Sequence, residues 1–223
     1  MLLVGATGLI GTRVMEQCRG RADVRLMALT RREAPMPHGA RMEMLVADPA
    51  EWERAVASVS PDAVICALGT TWRKAGRDEA AFRAVDEALV MRVARAARRA
   101  EVSNFVLVSS VGADPVSRMF YLRVKADVEA AVRKLRFHRL DILRPGLLRG
   151  PRAGDRRLGE RLAILASPIA DVFLRGDRAR FRSIDARRVA RAALQAAKEK
   201  ARGSFVHDNE AIARLERRLD GAA

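Results

Sequence analysis

Residues 1–18 read MLLVGATGLIGTRVMEQC, and their order decides the fold. The apolar run Leu2-Leu3-Val4 gives way at once to Gly5, Gly8 and Gly11, so a short strand, a glycine turn and a helix follow one another. Glycines in such a turn permit a tight bend, let a pyrophosphate approach the backbone, and let helix and strand pack closely. An anion then sits at the helix N-terminus, Gly8-Leu9-Ile10, where unpaired N–H groups and the helix dipole favour negative charge. Thr7 adds a hydroxyl donor, while Ile10, Val14 and Cys18 recur at helical spacing on the face that should be buried. The stretch therefore predicts the first βα unit of a dinucleotide-binding sheet.

Outward from that unit, strand-like and helix-like patterns alternate without a repeat. ADVRLMALT, RMEMLVAD, DAVICALGTT, NFVLVSS and RLDILRP read as five further strands. Between them, PAEWERAVASV, the long run GRDEAAFRAVDEALVMRVARAARRA and YLRVKADVEAAVRKL have helical periodicity, and an Ala-rich helix is expected from about residue 186 to 201. Strands alternating with helices of this length imply an α/β architecture, a doubly wound parallel sheet covered on both faces. The expected division is a dinucleotide-binding core over residues 1–148, a small basic helical cap over 149–188, and C-terminal helices over 189–223 that return to the core.

Such sheets bind ligands beyond the carboxyl ends of their strands. After the second strand stand Arg31 and Arg32, where an acid would accept the ribose hydroxyls of NAD; arginines suit the 2′-phosphate of NADP instead. After the third, Asp48 could bond an adenine amino group or cap the helix entered through Pro49. After the fourth, Leu68-Gly69-Thr70 offers a close backbone path past the cofactor. After the fifth come Ser109 and Ser110, then Tyr121 and Lys125 four residues apart, which places the last two on one helix face. An ammonium beside a tyrosine favours its phenolate form, which is what a hydride-transfer acid requires. Ser110 would then hold a substrate carbonyl, Tyr121 would protonate its oxygen and Lys125 would also hold the nicotinamide ribose.

The 223 residues carry a formal charge of +15, from 42 Lys and Arg against 27 Asp and Glu. Nearly all the cations are arginines in an Ala-rich chain, a bias that coding composition can produce, so nucleic acid is not the expected partner. The excess is densest over residues 149–188, where Leu162, Ile164, Leu165, Ile169, Val172, Phe173 and Leu174 have helical spacing between flanking arginines that include Arg152, Arg156 and Arg157. Arginines rimming a site would draw an anionic small-molecule substrate. No metal or redox spacing joins Cys18, Cys66, His38, His138 and His207. No apolar run reaches membrane-spanning length and no leader pattern opens the chain, from which a cytoplasmic protein is expected.

GATGLIG, the serines followed by Tyr121 and Lys125, and LRPGLLRG around Pro145 together resemble the short-chain dehydrogenase/reductase superfamily. CALGTTWRKAG, VSSVGADPVSRMFYLRVKADVE and ILRPGLLRGPR are similar, more narrowly, to its atypical branch of Tat-interacting-protein-like oxidoreductases and bacterial relatives labelled sugar-nucleotide epimerases. The resemblance implies a Rossmann domain binding NADP(H) at Gly5, Thr7, Gly8, Gly11, Arg31 and Arg32, with Ser110, Tyr121 and Lys125 as the catalytic set. It also implies that the backbone at Pro145, Gly146 and Leu147 faces the nicotinamide carboxamide. ALGTT stands where many superfamily members carry an asparagine-rich motif. The leading expectation is an NADP-dependent oxidoreductase of small carbonyls or alcohols; the alternative is a non-catalytic NADPH-binding regulator that presents a surface to a protein or polyanion.

Overall fold

The computed structural model describes residues 1–38, 42–150 and 181–219. In chain order the elements are β1 (Leu2–Val4), α1 (Leu9–Gln17), β2 (Leu26–Thr30), β3 (Met42–Val46), α2 (Trp52–Val59) and β4 (Ala63–Cys66). Next come α3 (Glu79–Arg83), a π-helical segment (Ala84–Leu89) and α4 (Val90–Arg99), then β5 (Asn104–Val108), α5 (Phe120–Arg133) and β6 (Arg139–Leu143). The described chain closes with β7 (Leu148–Arg149), β8 (Ile184–Asp185), α6 (Ala186–Lys198), β9 (Gly203–His207) and α7 (Asn209–Arg218).

Seven strands form one parallel sheet in the order β3-β2-β1-β4-β5-β6-β9. The chain winds outward from β1 in one direction and then, through β4, in the other. That reversal opens a crevice between the carboxyl ends of β1 and β4. The central strands are buried on both faces, which is why LLV, AVIC and NFVLV read as continuous apolar runs and not as alternating ones. On one face the sheet packs Ile10 and Val14 of α1, Leu194 of α6 and Ile212 of α7; on the other it packs Trp52 and Val56 of α2, Val93 of α4 and Val128 of α5.

The C-terminal part departs from expectation. The Ala-rich helix ends at Lys198, and a seventh strand, β9, follows it before α7. GSFVH escapes a sequence reading because it lies at the sheet edge, where its residues alternate between exposed and half-buried and the apolar signal is only Phe205 and Val206. A two-residue ladder, Leu148 with Ile184 and Arg149 with Asp185, ties the chain after β6 to the start of α6. The expected basic cap falls mostly outside the described residues, including its apolar stretch from Leu162 to Leu174 and Arg152, Arg156 and Arg157.

Candidate functional site

The glycine turn between β1 and α1 is held closed by contacts that allow no side chain. Gly5 has φ +92°, and a Cβ there would lie 2.5 Å from the Ala67 carbonyl oxygen after β4. A Cβ on Gly11 would lie 2.1 Å from the Gly5 carbonyl oxygen, so α1 can sit this close to β1 only with glycine at that position. Gly8 precedes α1, makes no side-chain cap, and no acid occupies the first turn. The N–H groups that a helix cannot satisfy internally at its start are therefore left for a ligand. They open into a cavity of about 300 Å³ that Thr7 and Gly8 share with Arg31, Arg32 and Trp52. Both arginines are exposed at its rim. Asp48 takes the capping role: its carboxylate accepts the Ala50 N–H at 2.8 Å and caps the turn that begins at Pro49.

A second cavity of about 250 Å³ shares Thr7, Gly8, Leu68, Gly69 and Thr70 with the first, so the two form one cleft along the strand ends. Ser109, Tyr121, Lys125 and Asp86 line it. Tyr121 and Lys125 lie one turn apart on α5, with Lys125 Nζ 5.9 Å from the centre of the tyrosine ring. Phe82 meets that ring edge-on at 5.7 Å. The Lys125 side chain is 8% exposed and its ammonium lies 2.8 Å from Oδ1 of Asp86, which is wholly buried. Asp86 Oδ2 in turn accepts the Thr70 N–H at 2.7 Å. Burial opposes the charged form of Lys125, but the adjacent Asp86 carboxylate, together with Tyr121 and Cys66, outweighs it and the ammonium is held above the ordinary lysine range. Cys66, at the end of β4, is no nucleophile here, because burial pushes its thiol up to about 11.

The two serines diverge. Ser109 lines the cleft, and its hydroxyl donates to Glu129 Oε1 at 2.6 Å. Ser110, the serine assigned to the substrate from sequence, donates to the Val111 carbonyl at 3.2 Å. Glu129 is fully buried and also receives Arg144 in a two-pronged hydrogen bond, with distances of 2.6 to 3.2 Å, and Arg133 at 3.2 Å. Positions 121, 125, 129 and 133 thus form one stripe of α5 that faces the strand ends. Since the Ser109 proton is engaged by Glu129, its oxygen offers only lone pairs to the cleft.

Pro145, Gly146 and Leu147 are tied into the scaffold. The Pro145 carbonyl accepts the Val111 N–H, Gly146 N–H donates to Asn209 Oδ1 at 3.0 Å, and the Leu147 carbonyl accepts the Ile184 N–H. The next residue, Leu148, is the one that lines the cleft. Sequence reading missed Lys74, which lines both cavities, and Trp52, Asp86 and Glu129. Asp86 and Glu129 lie in helices whose charged residues read as solvent-facing; no periodicity distinguishes a buried acid from an exposed one. Among the described residues no cluster of His, Cys, Asp or Glu could hold a metal ion, and no helix is long and apolar enough to cross a membrane.

Residues 5–200 match the NAD(P)H-binding family. The chain is 35% identical over 161 residues to the mitochondrial protein fmp52 of Aspergillus niger, covering 69% of this chain and 68% of that protein. It is 45% identical over 111 residues to HTATIP2 of Rattus norvegicus, covering 50% and 45%. Among solved structures, MoeE5 in complex with UDP-glucose and NAD superposes with a TM-score of 0.69 at 18% identity, over 99% of this chain and 81% of that one. UDP-glucose 4-epimerase from Brucella ovis in complex with NAD gives 0.69 at 17%, over 92% and 75%. The fmp52 relatives from Aspergillus niger and Saccharomyces cerevisiae are named mitochondrial, which overturns the expectation of a cytoplasmic protein; that expectation rested on absent signals, and a fold carries no address. With a glycine cradle, a parallel sheet reversed at β1 and β4, and these relatives, the chain belongs to the NAD(P)H-binding Rossmann family, in the atypical short-chain dehydrogenase/reductase branch that includes HTATIP2.

Proposed function

We propose that this protein is an NADP(H)-dependent oxidoreductase that moves a hydride between the cofactor and a small carbonyl or alcohol. The observation that carries the reading is a single cleft with the glycine turn and Arg31-Arg32 at one end and the Tyr121–Lys125 pair at the other. The residues fit the cofactor: the Gly5–Ile10 turn leaves room only for backbone and an anion, and the exposed guanidinium groups suit a 2′-phosphate. Lys74, placed between the two ends, adds positive charge beside the diphosphate path. When bound, the nicotinamide supplies the hydride.

The chain's own residues handle the proton and the substrate oxygen. Tyr121 donates its hydroxyl proton to the oxygen of a carbonyl being reduced, or takes it from an alcohol being oxidised. The Lys125 ammonium stabilises the negative charge left on the tyrosine oxygen and holds a ribose hydroxyl. Ser109, as the serine lining the cleft, takes the place first given to Ser110; its free lone pairs accept from a substrate donor beside the reacting oxygen, whose proton belongs to Tyr121.

The reading is tested by titrating the purified protein with NADPH and NADH, then screening aldehydes, ketones and quinones for turnover. NADPH should bind more tightly than NADH. Tyr121→Phe should keep NADPH affinity and lose about 10²–10⁴-fold in rate, since only the proton donor is removed. Full turnover in that variant refutes the role of Tyr121; NADPH binding with no substrate found would favour the cofactor-binding regulator instead.

A further inference from the structure

The reaction centre contains a buried charge that the assigned chemistry does not use. Asp86 is fully buried, and both of its oxygens point at functional groups: Oδ1 lies 2.8 Å from the Lys125 ammonium and Oδ2 accepts the Thr70 N–H. It is presented by the π-helical segment Ala84–Leu89, an interruption that α-helices tolerate mainly where a side chain must be re-aimed. Gly69 packs over the pair, since a Cβ there would lie 3.5 Å from Asp86 Oδ1 and 3.8 Å from Lys125 Nζ. A buried ion pair stabilises a fold no better than two well-packed apolar side chains, so stability alone does not account for it.

We propose that Asp86 is a positioning residue of the reaction centre, the buried counter-charge that keeps Lys125 protonated and aimed into the cleft and links it to the backbone after β4. The inference rests on the oxidoreductase reading for its purpose, but not for its test. The titratable and charged groups around Lys125 come from every packed element: Asp86 from the π-helical segment, Tyr121 and Glu129 from α5, Cys66 from β4, and Lys74 from the loop that follows β4. Glu129 is already engaged by Arg144, Arg133 and Ser109. Cys66 keeps its proton through the neutral range. Asp86 is therefore the one carboxylate among these left to balance Lys125.

The test uses the full chain without cofactor, labelled with ¹³C and ¹⁵N in its lysines. There are five lysines, so each side chain can be followed by NMR as pH rises, and the signal missing from Lys125→Arg assigns Lys125. Lys125 should be the last of the five to lose its proton. In Asp86→Asn it should become the first, because an uncompensated ammonium remains buried, and Asp86→Glu should restore the original order. With cofactor, Asp86→Asn should show an NADPH affinity that falls by up to about tenfold per pH unit above the new midpoint, where the unmutated protein stays flat. If Asp86→Asn does not fold, Asp86→Asn/Lys125→Met removes both charges while the asparagine oxygen still accepts the Thr70 N–H; it should bind NADPH no more weakly than Lys125→Met, which leaves Asp86 buried without its counter-charge. The proposal is overturned if Lys125 keeps its place in a folded Asp86→Asn, or if the double variant binds more weakly than Lys125→Met. An unmutated protein that binds no nicotinamide nucleotide defeats the oxidoreductase reading, while the lysine titration still decides the role of Asp86.

Discussion

The two ends of the cleft are built in opposite ways. The cradle at β1 and α1 is made of backbone: Gly5, Gly8 and Gly11 within seven residues, and the free N–H groups of one helix start. The two charges at its rim, Arg31 and Arg32, stand in solvent. The Tyr121–Lys125 end is made of buried and half-buried side chains from different parts of the chain, with Asp86, Ser109, Glu129 and Arg144 joined by ion pairs and hydrogen bonds. One end admits no side chain at Gly5 or Gly11, and the other tolerates no unpaired charge. The difference teaches that the two ends of the cleft fail for different physical reasons when perturbed.

Four variants sharpen this contrast, the second a control for the first, taken otherwise from the largest expected effect down. Gly11→Ala places a methyl group 2.1 Å from the Gly5 carbonyl oxygen, and since backbone faces backbone neither side can yield; a loss of about 3 kcal/mol is expected in denaturant unfolding. Gly8→Ala, whose Cβ would lie 3.3 Å from that same oxygen, should cost under about 1 kcal/mol, and equal costs at the two positions would break the steric account. Glu129→Gln leaves Arg144 and Arg133 without their carboxylate. Because both arginines are partly exposed, the expected destabilisation is about 2 kcal/mol, below that of a fully buried pair. The smallest effect belongs to the exposed end: Arg31→Ala/Arg32→Ala should leave the unfolding midpoint unchanged and lower NADPH affinity about tenfold, with little change for NADH. That loss should shrink as salt rises, since these charges face solvent. A stability loss in the arginine variant would show that the two ends are not built as differently as the geometry says.

The residues of the cradle could be read directly, because a strand, a glycine turn and a helix are consecutive in the chain and each glycine answers a local steric demand. Tyr121 and Lys125 were legible for the same reason, as neighbours one helical turn apart. Asp86 was not: it lies in a run of alternating charge, and a π-helical segment rotates it inward against the helical period that a sequence reader must assume. Which of Ser109 and Ser110 lines the cleft was equally hidden, since it depends on how the chain after β5 packs against α5, where Glu129, twenty positions away, takes up the Ser109 hydroxyl.

By itself, then, the sequence determined the order of βα units, the parallel sheet and the glycine turn at its first strand, all of which follow from periodicity and from steric demands over a few residues. The tertiary structure alone decided which charges are buried and with whom they pair, that β9 closes the sheet edge, and that Asp48 caps a helix start. Those outcomes depend on which side chains approach one another in space, and the energy of a charge is set by its surroundings and not by its place in the chain.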